Sequence, residues 1–496
     1  MFNRFDPKKF YKYFFYLFIF AIPLQTRKVF LTDYSFYTGA FTESGSIFAY
    51  LSDILFVSAI LSYVIWNRTS MKVSLRELIA KSKSKDKRIL ISLVILIVWC
   101  FLSAIINQDY LIISLFRSIK MVEMATLFFF VYLNFKDRRF LLSSLFIVIL
   151  TATFQSIIAI SQFMLQHSVF TSPLLHKITG ETILSPQLPG IAKITADGEN
   201  ILRAYGTLPH PNILGGFLVF SITVSLYNFL CHHTTVLSSL SDWFNLKTAY
   251  TKQKLASMFW ITTLTLQFTA LLFTFSRSAW IAAILSSICF CLIYRKTSKI
   301  VSRETIANTI NRKDLVIASC VIIAVLSLNF DLFFNRATEG TSYPQDIHTS
   351  TLPQNSTFND RMFFNIVSRE TIHSHTLWGS GTGTSLFQIN DYLQRHNIGE
   401  PMAPWQYQPT HNIYLLMASE IGIFGLLVFS FIIIEVSRLA FRKIVSRETI
   451  QNHRILISLS LSCLLGFLLI GTFDHYLMTI QQGQLLFWII LGIMLS

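Results

Sequence analysis

Apolar runs of about 17 to 25 residues recur along the whole chain, each long enough to cross a hydrocarbon core of roughly 30 Å as a helix. A backbone in lipid must satisfy its own polar groups, so runs of this length select transmembrane helices. They fall near residues 10–24, 47–66, 89–106, 111–133, 140–165, 213–230, 258–275, 278–294, 315–334, 413–437, 455–471 and 476–495. The expected fold is an all-α integral membrane protein of about twelve transmembrane helices, with a large outer loop between spans nine and ten. In this division 1–165 holds helices one to five, 166–212 is an outer loop and 213–334 holds helices six to nine. The large outer loop is then 335–412, and 413–496 holds helices ten to twelve. Composition agrees: 52% of residues are hydrophobic and only 14% charged, against roughly 25% charged in soluble domains. Lys8, Lys9 and Lys12 give the first run the look of a signal peptide, but no small-x-small cleavage pattern follows, so a retained span is expected.

Lys and Arg set the orientation. With the N-terminus inside, every inner loop is basic, whereas the long 335–412 segment has four arginines and no lysine. Both termini are therefore expected in the cytoplasm, in a bacterial inner membrane. The net charge of +15 follows from this inner bias, including Lys81, Lys83, Lys85, Lys87 and Arg88, which attract anionic membrane lipid. It calls for no nucleic-acid partner. All six cysteines fall in or beside spans, so neither a disulfide framework nor a thiolate metal site is implied.

Four polar stretches on the outer side stand apart from lipid-facing composition. Arg203-Ala-Tyr-Gly-Thr-Leu-Pro-His-Pro-Asn212 leads into span six, where Asn212 suits a helix cap and Arg203 suits phosphate. Ser276-Arg277-Ser278 makes a bend too short for a loop, which fixes Arg277 at the interface; the plain alternative is snorkelling to headgroups. A guanidinium held there can grip a diphosphate through forked hydrogen bonds. Asp360-Arg361 precedes Trp378-Gly-Ser-Gly-Thr-Gly383, whose glycines lack the strand and helix of a nucleotide fingerprint and are read as a flexible turn. Finally, His411-Asn412 opens span ten, with Glu420 and Gly422 further along. A histidine there can take a proton near pH 7. Within span four, Arg117, Lys120 and Glu123 share one side; Lys120 and Glu123 can neutralise each other. Arg117, about 9 Å below the outer surface, can reach the same region from beneath.

Taken in order, Arg203-x-x-Gly-Thr, Pro211-Asn212, Ser276-Arg277, Asp360-Arg361, Gly379-x-Gly381, His411-Asn412, Glu420-x-Gly422 and Asp474-His475-Tyr476 resemble the O-antigen ligase and O-antigen polymerase superfamily. The similarity runs from about residue 200 to the C-terminus. It implies transfer of an oligosaccharide from a polyprenyl diphosphate carrier to a glycan, lipid or protein hydroxyl, with neither metal nor cofactor. It also implies that Arg277 and Arg361 neutralise the leaving diphosphate and that His411 is the general base. Arg203, Arg117, Asn412, Asp474 and His475 are expected at the substrate. Ligation, polymerisation and protein glycosylation share these motifs, with the large loop before His411 favouring ligation. A transporter would also fit twelve spans, but no internal repeat or matching pair of broken spans is present. An inactive scaffold would not need the full set of Arg and His.

The heptapeptide Ile-Val-Ser-Arg-Glu-Thr-Ile occurs three times, at 300–306, 366–372 and 444–450. The expected topology puts copies one and three inside and copy two outside, so they cannot build one site. The seven residues can be encoded by a self-complementary DNA string, ATTGTTTCACGTGAAACAAT, continued by any base that keeps the last isoleucine. A palindromic element inserted at tolerant loops is the expected origin, and Arg303, Arg369 and Arg447 are left out of the catalytic set.

Overall fold

The computed structural model describes residues 7–37, 39–66, 84–170, 172–181, 183–196, 198–231, 249–297, 312–338, 357–398, 407–446 and 449–496. A helix stands at every expected apolar run. The first five are α1 (Phe10–Ala21), α2 (Leu51–Trp66), α3 (Ser84–Ile106), α4 (Leu111–Asn134) and α5 (Arg138–Leu165). After the short α6 (Pro173–Thr179) come α7 (Pro211–Cys231), α8 (Ala249–Phe273), α9 (Arg277–Thr297), α10 (Arg312–Leu328) and α11 (Phe330–Thr338). The expected large loop holds α12 (Thr357–Ser374) and α13 (Phe387–Arg395). The chain closes with α14 (Ile413–Val445), α15 (Gln451–Gly471), α16 (Tyr476–Thr479) and α17 (Gln481–Leu495). Two small antiparallel ribbons, β1 (Arg27–Phe30) with β2 (Ile47–Tyr50) and β3 (Lys193–Ala196) with β4 (Glu199–Leu202), lie in the connections.

Among the described residues six helices, α3, α5, α7, α9, α14 and α15, are long and apolar enough to cross a membrane, or seven if the bent pair α10–α11 is one span. Length and composition thus fall short of the expected twelve, for local reasons. α1 has 12 residues, about 18 Å of helix. α4 has the length but carries Arg117, Lys120 and Glu123. Span nine is broken, its two helices bent by 74°, and span twelve is split at Ile480, which is extended at φ −107° and ψ 130°.

Burial separates the centre from the rim. The apolar window of α7 is 89% buried, against 33% for α9 and 39% for α3. α7 is therefore the axis of the bundle, packed against α5, α8, α9, α15 and α17. α17 is buried almost throughout, as an all-apolar helix in a protein core should be.

One break shapes the site. α14 is interrupted at Gly422, whose φ of +71° favours glycine. The amide of Ile423, which an unbroken helix would aim at Ser419, donates to the Thr376 carbonyl at 2.9 Å. The freed carbonyls of Ser419 and Glu420 accept from Ser380 and Gly381 at 2.8 and 2.9 Å. A Cβ on Gly422 would lie 2.0 Å from the Leu377 carbonyl oxygen. Trp99 stacks on Trp378 at 4.1 Å and donates its indole N–H to the Ile421 carbonyl at 2.8 Å. The glycine turn expected to be flexible is thus clamped into the helix break, because its amides replace the missing helical donors.

Candidate functional site

Four junctions meet at one end of the bundle: 203–212, 274–277, 410–412 and 472–475. Arg203, 5% exposed, donates through Nε to the Thr274 carbonyl and through Nη2 to Asn212 Oδ1, both at 2.7 Å. Asn212 Nδ2 then donates to Asp474 Oδ2 at 2.6 Å. Asn212 was expected to cap α7. The helix instead starts at Pro211, which has no N–H to satisfy, and the Asn212 backbone amide donates to His210 Nδ1 at 3.1 Å. Asn412 is the cap of α14: Oδ1 accepts from the Tyr414 and Leu415 amides at 2.9 and 3.0 Å, and Nδ2 donates to the Thr472 carbonyl at 3.3 Å. This engagement turns its side chain into scaffold.

His411 directly precedes this cap, facing Asp474 and His475. The rings of His411 and His475 meet edge to face at 4.9 Å, and Phe364 lies nearly parallel to His411 at 6.2 Å. His475 Nδ1 pairs with Thr479 Oγ1 at 2.6 Å. Among the described residues His411 Nδ1 is buried with no hydrogen-bond partner. Burial, then the neighbouring His475, lowers the pKa of His411 to about 3, and burial likewise lowers that of His475. Burial and Arg203 lower His210 to about 3. Burial alone would raise Asp474, but His411, His475, His210 and Arg361 hold it below its ordinary value. The outcome is a neutral imidazole whose burial disfavours its charged form, beside an ionised carboxylate that favours it.

The arginines divide into two groups. Arg277 opens α9 and donates through Nη1 to the Arg336 carbonyl at 3.3 Å, while Arg336 Nε donates to the Phe275 carbonyl at 3.2 Å. Phe275, fully buried with φ +48°, fixes this bend in a strained backbone and stacks on Phe333 at 5.0 Å. Arg361, on α12, has a buried Nε without a hydrogen-bond partner. Burial lowers its pKa, opposed by Asp474 and reinforced by Arg336. Arg336 carries no role in the sequence reading; its place at the very start of the long 335–412 segment was the available signal.

Arg117 belongs to the other group. It lines a cavity of about 440 Å³ together with Lys120, His210, Asn212, His411, Glu420, Asp474 and His475. Arg277, Arg361 and Arg203 are not in its lining, whereas His411 and Asp474 both line it and interact electrostatically with Arg361. Arg117 Nη1 donates to the Thr479 carbonyl at 3.0 Å, and its Nε is buried without a partner. Its stem rests on Gly383, where a Cβ would stand 2.6 Å from Arg117 Cγ. Glu420 fixes that turn, accepting the Gly383 and Ser385 amides at 2.8 and 3.3 Å. Lys120 pairs with Glu123 as expected, at 2.9 Å, and also with Asp53 at 2.6 Å. Phe116, Met121, Met124, Met478 and Trp488 make part of the wall apolar.

His411, Asp474 and His475 each offer a donor atom, all within 4.8 Å of one another, and could hold a cation. Asp474 already accepts from Asn212 and from the His475 amide, at 2.6 and 2.8 Å, and His475 Nδ1 is paired with Thr479. Residues 262–430 match a family model described as O-antigen ligase. The matched stretch contains Arg277, Arg336, Arg361, His411 and Glu420, and leaves Arg117, Arg203, Asp474 and His475 outside. No curated protein matches the chain.

Proposed function

We propose that this multi-pass membrane protein is a glycosyltransferase-like member of the O-antigen ligase superfamily, as the match over residues 262–430 supports, and that it transfers a glycan from a polyprenyl diphosphate carrier to an acceptor hydroxyl on the outer face of the cytoplasmic membrane. The acceptor oxygen attacks the anomeric carbon, its proton passes to His411, and the sugar–phosphate bond breaks to release the diphosphate. Asp474 stabilises the imidazolium that forms. Arg361, with Arg277 and Arg336 beside it, neutralises the charge growing on the leaving group, and a dry site strengthens that attraction. Arg117 meets the phosphates from within the cavity, while Arg203 acts through Asn212 to hold Asp474. The acceptor is a glycan, lipid or protein hydroxyl, and ligation is preferred over polymerisation.

The observation that carries this reading is His411: a buried, partnerless Nδ1 beside Asp474, within the electrostatic reach of Arg361. The test is glycan transfer by purified protein in proteoliposomes. Arg361→Ala and Arg277→Ala should raise KM for the lipid-linked donor by about tenfold or more, given roughly 1.5–3 kcal/mol for a charge-assisted hydrogen bond. Activity should survive chelation. A strict need for a divalent cation would move His411, Asp474 and His475 from proton transfer to metal binding. Uptake of unaltered solute without transfer would instead support a transporter.

A further inference from the structure

The second heptapeptide copy, Ile366–Ile372, is not an inert insertion: it forms the middle of α12. Its helix presents Phe364, Val367, Ser368 and Thr371 inward, all at most 3% exposed, at the i, i+3, i+4, i+7 spacing of one helical face. Three of those four residues come from the repeat. Val367 packs with Phe364, Ile389 and Leu393, joining α12 to α13, while Ile366 is 43% exposed. Glu370, on the same copy, pairs with Arg395 at 2.8 Å and His396 at 2.9 Å. Seven residues are two helical turns to within about 20°, so such an insertion in a helix leaves the inward stripe in phase.

That stripe touches the base. Phe364 supports the His411 ring, and Ser368 is hydrogen-bonded to Thr410, the residue before His411. Thr410 gives its only hydroxyl proton to the Phe364 carbonyl at 3.0 Å, so Ser368 is the donor in the Ser368–Thr410 bond. Both hydroxyls are buried, Ser368 at 3% and Thr410 at 3% exposure. Copy three meets a different fate: Ile444 and Val445 end α14, and Ile450, 75% exposed, precedes α15. Copy one lies outside the described residues.

We propose that Ser368, contributed by the second copy of the repeat, is a positioning residue that latches Thr410 and thereby sets His411 for proton transfer. This rests on the reading of His411 as the base. The test compares Ser368→Ala, Ser368→Thr and Val367→Ala in the transfer assay, with rates expressed per folded protein. Ser368→Ala should lower kcat about tenfold while KM for the donor stays within about twofold, since a small displacement of a base costs rate rather than binding. Ser368→Thr keeps the hydroxyl and should restore the rate. Val367→Ala should lower the yield of folded protein, whereas Ile450→Ser, at the exposed end of copy three, should leave both the yield and kcat per folded molecule alone. Wild-type kcat in Ser368→Ala, or a Ser368→Thr variant as slow as the alanine, would overturn the latch. An active His411→Ala would sink the base itself, which separates the two failures.

Discussion

His411 and Asp474 act as a pair because neither has its ordinary surroundings. With His411 lowered to about 3 by burial and by His475, the imidazole stays neutral and able to accept a proton throughout pH 5 to 8. The acid limb of kcat should therefore fall below the ordinary histidine value of 6.5, and a profile with its midpoint at 6.5 would contradict that environment. Stability carries the same sign. The unfolded chain takes up a proton below about 6.5 that the folded His411 refuses, so Tm should fall as pH drops from 7 to 5. Replacing Asp474 by Asn removes the charge that stabilises the imidazolium; kcat should drop on the order of a hundredfold, with donor KM nearly unchanged. His411, Arg277 and Arg361 could be singled out in the sequence because His411 and Arg277 stand in short polar stretches beside apolar runs and Arg361 in a polar stretch of the long 335–412 segment. The engagement of Arg203 as a brace was not, since it depends on the Thr274 carbonyl far away in the chain, and neither was the bond from Asn412 Nδ2 to the distant Thr472 carbonyl.

At the scale of elements, the clamp between the glycine turn and α14 decides whether the cavity exists. Gly422→Ala would force a Cβ against the Leu377 carbonyl at a φ of +71°, and should cost at least about 2 kcal/mol, seen as a lower Tm in detergent. Glu420→Ala should be similarly harmful, because two buried amides, of Gly383 and Ser385, lose their acceptor at roughly 1–3 kcal/mol each. Apolar periodicity made the helices readable; it could not reveal that Gly422 breaks one of them. A glycine inside an apolar run has no partner in the sequence, and its partner here, the turn after Trp378, lies about forty residues earlier. The long 335–412 segment also read as loop. Its helices α12 and α13 are short and amphipathic, and copy two of the repeat fits α12 by virtue of its seven-residue period rather than any apolar run.

For the whole molecule, the basic loops predict a sidedness that can be measured directly. In a cysteine-free background, Arg369→Cys on α12 should react with a membrane-impermeant thiol reagent in intact cells, and Arg442→Cys near the end of α14 only after permeabilisation; the reverse pattern would invert the topology. The central claim is narrower and concerns proton transfer to His411. The most direct measurement is single-turnover glycan transfer by His411→Ala in proteoliposomes, with binding of the polyprenyl diphosphate-linked donor measured on the same preparation. The account predicts donor binding close to wild type and transfer reduced by at least about a hundredfold; transfer at the wild-type rate would contradict it.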